Sequence, residues 1–217
     1  MVMARAARWS AAALIVSLVF TLVACSTGEK VDLGGDTSGR LVAAIAGEPD
    51  QLDPNKTSAY FSFEVLENVY DTLVEPDANL QMRPALAESW NVSPDQLTWT
   101  FHLRPGVTFH DGSPVSADGG VFTYRRIIDQ ELSNVDKLSA VADVRASDPA
   151  TVVIRLKHPS PNLLTNLGGF KGMAIVQRKN VESGQIAIHP IGTGPFAFES
   201  QKSGDSISLK ANPRYWG

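Results

Sequence analysis

One dense stretch near the middle of the 217-residue chain decides the fold. It reads Thr98-Trp99-Thr100-Phe101-His102-Leu103-Arg104-Pro105-Gly106-Val107-Thr108-Phe109-His110-Asp111-Gly112-Ser113-Pro114-Val115. Apolar and polar side chains alternate up to Leu103, and this period of two predicts a strand with one buried face. The Pro-Gly and Asp-Gly pairs that follow predict two turns with a short extended segment between them.

On both sides of this stretch, helical and strand-like patterns are interleaved without a repeat, which predicts a mixed α/β class. The predicted strands are residues 41–46, 97–103, 141–146, 151–156, 174–176 and 207–211. The predicted helices are residues 62–74, with Ser62 as the cap, 121–128 and 162–167, and residues 76–84 are predicted to form a loop. The hydrophobic fraction of 43% is large enough to form a core, which excludes wholesale disorder.

The first 25 residues have the pattern of a bacterial export signal. Arg5 and Arg8 are the only charges before Glu29, and residues 11–23 are mostly aliphatic. The run ends in Leu22-Val23-Ala24-Cys25, which resembles the lipobox of bacterial lipoproteins. That resemblance implies removal of residues 1–24 as a signal peptide and lipidation of the Cys25 thiol. Two alternatives stay open, an uncleaved signal anchor and a buried structural cysteine.

The composition predicts a flexible segment after the signal and excludes several kinds of site and partner. Residues 25–39 are rich in Gly, Ser and Thr, which predicts a flexible tether. The single cysteine excludes an intrachain disulfide and a multi-cysteine zinc site. A net charge of −4 with no Lys/Arg cluster argues against a nucleic-acid partner. The four histidines are scattered, and no nucleophile elbow is present, so we expect no enzyme activity, no cofactor and no metal.

Five segments, in order along the chain, resemble the dipeptide- and oligopeptide-binding lipoproteins of ABC importers, which are solute-binding family 5. Besides residues 98–115 they are Glu48-Pro49-Asp50-Gln51-Leu52-Asp53-Pro54 with Tyr70-Asp71-Thr72-Leu73-Val74, Pro84-Ala85-Leu86-Ala87-Glu88-Ser89-Trp90, Pro190-Ile191-Gly192-Thr193-Gly194-Pro195-Phe196 and Asn212-Pro213-Arg214-Tyr215-Trp216. The resemblance implies a periplasmic-binding-protein-like type II fold. Residues 40–75 and 190–217 are then expected to belong to a first lobe, and residues 76–189 to a small inserted α/β domain. The second lobe is expected to be missing from a truncated chain, and residues 26–217 alone are expected to bind peptides poorly or not at all.

The function implied by the resemblance is binding of a solute that is left chemically unchanged. Such a protein takes up di- or oligopeptides outside the membrane and delivers them to an ABC permease complex. Acylated Cys25 would hold it to the bilayer on the extracytoplasmic face, in the periplasm or at the cell surface. The alternatives are the same fold with another solute, such as nickel, haem, an oligosaccharide or an opine, or a lipid-anchored adhesin or structural lipoprotein.

Candidate ligand residues lie in the loop that follows the first predicted strand. Ser58 and Tyr60 come after the carboxyl end of that strand, where the clefts of α/β proteins open. The alternative is an ordinary loop with an aromatic residue at the start of a helix. Gly192 and Gly194 favour a tight backbone path over a phosphate cradle, because no Lys completes a P-loop. Gly119 stands where the family usually carries the acid of a capping box, which predicts a weakened helix start.

Overall fold

A computed structural model describes residues 39–217, so residues 1–24, Cys25 and all but the last residue of the predicted tether lie outside the described residues. The chain divides into two units, Met1–Ala43 and Ala44–Gly217, and the architecture that follows is that of the second. The strands are β1 (Val74–Pro76), β2 (Met82–Pro84), β3 (Ala87–Val92), β4 (Thr98–Leu103), β5 (Val141–Asp148), β6 (Thr151–Leu156), β7 (Phe196–Lys202) and β8 (Ser206–Ala211). The helices are α1 (Tyr60–Val69), α2 (Ala117–Asp129), α3 (Leu163–Gly168) and α4 (Arg178–Glu182), with short 3-10 turns at Val135–Leu138, Lys171–Met173 and Gln185–Ala187. The predicted mixed α/β class is confirmed.

The largest sheet has four antiparallel strands in the order β3-β4-β6-β5. The strand predicted from the alternating pattern is β4, and it lies inside this sheet between β3 and β6. Phe101 pairs with Val152, and both side chains are fully buried. The two strands predicted around the Asp148-Pro149 turn are β5 and β6, with β5 two residues longer than predicted.

Helix α2 packs on the buried face of this sheet and closes the first hydrophobic core. Its side chains Tyr124 and Ile127 are fully buried there, together with Phe101 and Ile154. Burying a side chain of this size stabilises the fold by about 1.5–3 kcal/mol. The alternating pattern of β4 and the helical spacing of α2 therefore describe two faces of one core.

A second hydrophobic core surrounds α1. It contains Phe63, Leu66 and Val69 of the helix and Leu52 from the preceding loop. The helix begins at Tyr60 and not at Ser62, and it ends at Val69 and not at residue 74. After Val69 the chain leaves the helix with Tyr70 in an extended conformation. Tyr70 packs in the second core, and Leu73 and Val74 pack in the first.

Three predictions about single segments are wrong. Residues 41–46 form no strand, and Leu41 and Val42 are 89% and 76% exposed; no strand of the described residues pairs with this run, and a lone strand cannot satisfy its backbone groups. Residues 174–176 are buried but form no strand: the amide of Ile175 donates to the carbonyl of Asp71, and the amide of Val176 donates to the hydroxyl of Thr123. The predicted loop 76–84 contains the end of β1 and all of β2, which pair as a hairpin.

Helix α2 starts four residues before residue 121, where its start was predicted. The helix begins at Ala117 and includes both Gly119 and Gly120 in its first turns. Glycine at position 120 has a packing reason, because a Cβ there would lie 3.0 Å from a methyl carbon of Val152 on β6. Ser116 makes no side-chain capping bond, so tertiary packing and not the cap holds this end of the helix.

Candidate functional site

The turn at the end of the 98–115 stretch is joined to the Pro190–Phe196 segment through His110. The amide of His110 donates to the Gly192 carbonyl over 2.9 Å, and the amide of Gly192 donates back to Nδ1 of His110 over 3.2 Å. Nε2 of His110 lies 3.0 Å from the Gly194 carbonyl. His110 therefore connects segments more than 80 positions apart in the sequence.

The glycines at 192 and 194 permit a close backbone crossing. A Cβ at Gly192 would lie 1.9 Å from the carbonyl oxygen of Val69, and one at Gly194 would lie 2.6 Å from the carbonyl oxygen of Asn68. No side chain fits at such distances, so the chain passes directly over the last turn of α1. The predicted tight backbone path is confirmed.

Asp71 lies where three of the quoted segments meet. Its Oδ2 accepts hydrogen bonds from the Thr193 hydroxyl at 2.7 Å and from the Trp216 indole Nε1 at 2.9 Å. The Arg104 guanidinium lies 4.7 Å from the centroid of the Trp216 ring, in a cation–π contact. Burial raises the pKa of the Asp71 carboxyl, and the hydrogen bonds from Thr193 and Trp216 act in the opposite direction.

A buried ion pair fixes the loop that precedes α1. Arg126 of α2 donates from Nη1 and Nη2 to the two carboxylate oxygens of Asp53, and Nη1 also donates to Oδ1 of Asn55 over 3.0 Å. Asn55 in turn donates to the carbonyls of Gly172 and Ala174. The position of Arg126 on the otherwise buried side of an amphipathic helix could have indicated a buried charge from the sequence, but it does not identify Asp53 as the partner.

The predicted ligand residues Ser58 and Tyr60 are both exposed, and Tyr60 is 72% exposed at the start of α1. The backbone beside them is fixed by Asp50, whose Oδ1 accepts hydrogen bonds from the hydroxyls of Thr57 and Ser62, each at 2.6 Å. Burial tends to raise the pKa of Asp50, but the hydrogen bonds from Ser62 and Thr57 outweigh it and lower that pKa. A rigid loop thus presents a hydroxyl and an aromatic ring to the outside.

A separate concavity of about 460 Å³ lies between α2 and the segment after α4. It is lined by Asp53, Lys56, Phe122, Arg126 and Ile186, among others, and neither Ser58 nor Tyr60 contributes to it. The structure therefore does not bring the predicted ligand residues into this cavity. Within residues 39–217, no three His, Cys, Asp or Glu side chains are grouped closely enough to hold a metal ion, and no helix of that part is long and apolar enough to cross a membrane.

Comparison with known proteins identifies the fold. The family model described as bacterial extracellular solute-binding proteins, family 5 Middle, matches residues 81–217. Protein XP55 of Streptomyces lividans is 32% identical over 99% of this chain, and a probable peptide ABC transporter periplasmic-binding protein, y4tO, of Sinorhizobium fredii is 34% identical over 76%. The solved structure of AgaA from A. tumefaciens R10 in complex with agropinic acid superposes with a TM-score of 0.74 and 30% identity over 79% of this chain.

The fold is that of the type II periplasmic binding proteins, a class that binds solutes. This chain covers 42% of XP55, 32% of the y4tO protein and 35% of AgaA, so it corresponds to a part of each. With the family match over residues 81–217, the chain belongs to family 5 of the bacterial extracellular solute-binding proteins. The resemblance read from the five sequence segments is confirmed.

Proposed function

We propose that this chain acts in an ABC importer as a substrate-binding lipoprotein that captures di- or oligopeptides outside the membrane. The family membership carries this proposal, and the similarity to a protein named as a probable peptide ABC transporter component favours peptides as the solute. In this proposal the solute is held and released unchanged, and the loaded protein docks on a permease complex.

Ser58 and Tyr60 are proposed to contact the solute. The loop that carries them is fixed by the Asp50 hydrogen bonds, so the two side chains are presented with little further loss of backbone entropy. A tyrosine ring buries a large apolar area against a ligand, and the Ser58 hydroxyl can both donate and accept a hydrogen bond to an extended backbone. These are properties that a peptide site requires.

Residues 40–75 and 190–217 are proposed to form one lobe, and residues 76–189 the inserted domain. Phe198 of β7 and Leu209 of β8 contact the core that is built on α1, which supports grouping residues 190–217 with residues 40–75, and the same core also includes Ala174, Val176 and Ile186. The four-stranded sheet, by contrast, is formed only from residues between 87 and 156.

The chain is further proposed to be anchored in the bilayer through acylated Cys25, after removal of residues 1–24, with residues 25–39 as the tether. Metabolic labelling with radioactive palmitate tests this: the wild-type protein should carry label in the membrane fraction, and a Cys25→Ala variant should carry none. A variant that is still labelled would contradict the assignment of Cys25.

Uptake experiments test the transport function. A strain that lacks the gene should lose accumulation of radiolabelled di- or oligopeptides, and the wild-type gene should restore it. A complementing gene with Tyr60→Ala and Ser58→Trp together should fail although the protein is present at wild-type level on an immunoblot. Unchanged peptide uptake in the deletion strain would contradict the proposal.

A second candidate is the same fold with a different small solute. The similarity to AgaA, whose solved structure contains agropinic acid, favours this alternative. A thermal-shift comparison of peptides with sugar-acid conjugates distinguishes the two, because only the true solute should raise the melting temperature in a concentration-dependent manner.

A further inference from the structure

His110 is a partly buried ionisable side chain whose two ring nitrogens contact a distant segment, at Gly192 and Gly194. Because the Gly192 amide can only donate, Nδ1 of His110 must be the acceptor. Because the Gly194 carbonyl can only accept, Nε2 of His110 must carry the hydrogen. The geometry thus specifies one tautomer of the neutral imidazole.

We propose that His110 is a pH-sensitive latch: the hydrogen bond from the Gly192 amide to Nδ1, one of the contacts that hold the 107–115 turn on the Pro190–Phe196 segment, forms only while the imidazole is neutral. Protonation places a hydrogen on Nδ1, which then faces the N–H of Gly192 and can no longer accept from it. One buried donor loses its partner, and the two segments are left with a repulsive contact at their joint.

Two charged side chains of opposite sign lie beside the imidazole, and burial, not these charges, is the main cause that favours its neutral form. Arg214 donates from Nη2 to the His110 carbonyl over 2.9 Å, so a second cation lies close by. Asp111, next in the chain, is the opposing anion, but its Oδ1 already accepts from Ser113 and its Oδ2 from Gln177. The Gly192–Pro195 segment packed against the ring carries no charged side chain.

The groups around His110 together lower its pKa, which favours the neutral imidazole that the hydrogen bonds require. Burial is the main cause that lowers the pKa of His110 from its ordinary value of 6.5, with Arg214 acting in the same direction and the Gly194 carbonyl and Asp111 acting against it. Because the pKa of His110 is lowered, the imidazole is neutral near neutral pH and the bond from Gly192 to Nδ1 is formed. Under mild acidity the imidazole takes up a proton, and this bond is lost. The latch is independent of which solute the protein binds.

Nitrogen-15 NMR of the histidine-labelled wild-type protein tests the tautomer directly. Near neutral pH, His110 should show a protonated Nε2 and an unprotonated Nδ1, and acidification should convert both to the imidazolium pattern with a midpoint below 6.5. The exposed His158 serves as the internal reference. An Nδ1-protonated neutral tautomer, or a midpoint above 6.5, would overturn the proposal.

Amide hydrogen exchange tests the consequence. After correction for intrinsic exchange, protection of the Gly192 amide should fall about tenfold between neutral pH and about pH 5, as expected when a buried donor loses its partner. Protection of the Phe101 amide in β4 should stay unchanged over the same interval. In a His110→Gln variant, the pH dependence at Gly192 should disappear. Equal protection at both pH values in the wild-type protein would contradict the latch, whether or not the variant folds.

Discussion

Arg126 donates two hydrogen bonds to Asp53, which lies 73 positions earlier in the sequence. The distances are 3.1 Å between Nη1 and Oδ1 and 2.5 Å between Nη2 and Oδ2. Both side chains are almost completely buried, with exposed fractions of 2% and 1%. The pair fastens the loop before α1 to the helix that covers the four-stranded sheet. It thereby connects the first core to the second.

Replacing one member of this pair should be severely destabilising. Asp53→Asn leaves the Arg126 charge buried without a counter-ion, which costs about 3–5 kcal/mol of unfolding free energy. Urea unfolding followed by circular dichroism measures the loss. The matched control is Glu182→Gln, which removes the exposed partner of Arg178 and should change stability by less than about 1 kcal/mol. Equal effects of the two substitutions would contradict the role assigned to the buried pair.

The two glycines at the start of α2 should respond differently to alanine. Gly119 has open space at its Cβ position, so Gly119→Ala should stabilise the protein by about 1 kcal/mol through helix propensity. Gly120→Ala gains the same propensity, but its Cβ would lie 3.0 Å from Val152, so the net gain should be smaller or reversed.

Thermal unfolding of the two variants side by side measures this difference. Gly119→Glu adds a further test, because a carboxylate at this position can close a capping box with Ser116 and should exceed the alanine variant in stability. A larger stabilisation by Gly120→Ala than by Gly119→Ala would show that packing against β6 does not constrain position 120.

The hydrogen bond from Thr193 to Asp71 should matter most when Asp71 is ionised. Thr193→Val keeps the shape but removes a donor to a buried carboxylate, which should cost about 1–3 kcal/mol near neutral pH. Burial raises the pKa of Asp71 above 3.8, so the favourable contribution of this group is complete below that value and is lost as the pH rises through the folded-state pKa.

The cost of Thr193→Val should therefore shrink as the pH falls and Asp71 takes up a proton. Urea unfolding at a series of pH values from neutral down to the ordinary aspartate value of 3.8, followed by tryptophan fluorescence, measures this trend. Thr193→Ser retains a hydroxyl and is the control. A cost that is independent of pH would show that the hydroxyl does not act on the ionised carboxylate.

Tyr60 should affect solute binding without affecting stability. Because the side chain is 72% exposed, Tyr60→Ala should leave the melting temperature nearly unchanged, but it should reduce solute affinity at least about tenfold if the ring covers the ligand. Ile188→Ala removes another exposed apolar side chain and should change neither quantity. Isothermal titration with the identified solute measures the affinity, and an unchanged affinity in Tyr60→Ala would remove this residue from the site.

The sequence alone was sufficient to predict the mixed α/β class, the protein family and the central strands of the four-stranded sheet. In β4, alternation predicts the buried face correctly because side chains on a strand point to opposite sides in turn, whatever lies beyond them. The Gly192–Gly194 path was predicted equally well, since glycine is needed wherever two backbones nearly touch. Local rules such as these depend only on neighbours in the chain.

Only the tertiary structure decided which apolar runs form strands and which polar side chains pair with residues far away in the sequence. The apolar run 41–46 has the composition of a strand but finds no partner strand among the described residues. The partnership of Asp53 with Arg126 and that of His110 with Gly192 span 73 and 82 positions, and no local pattern encodes them. A charged or polar group becomes structural only when folding buries it beside a complementary group, and the identity of that group is fixed by the packing of the whole chain.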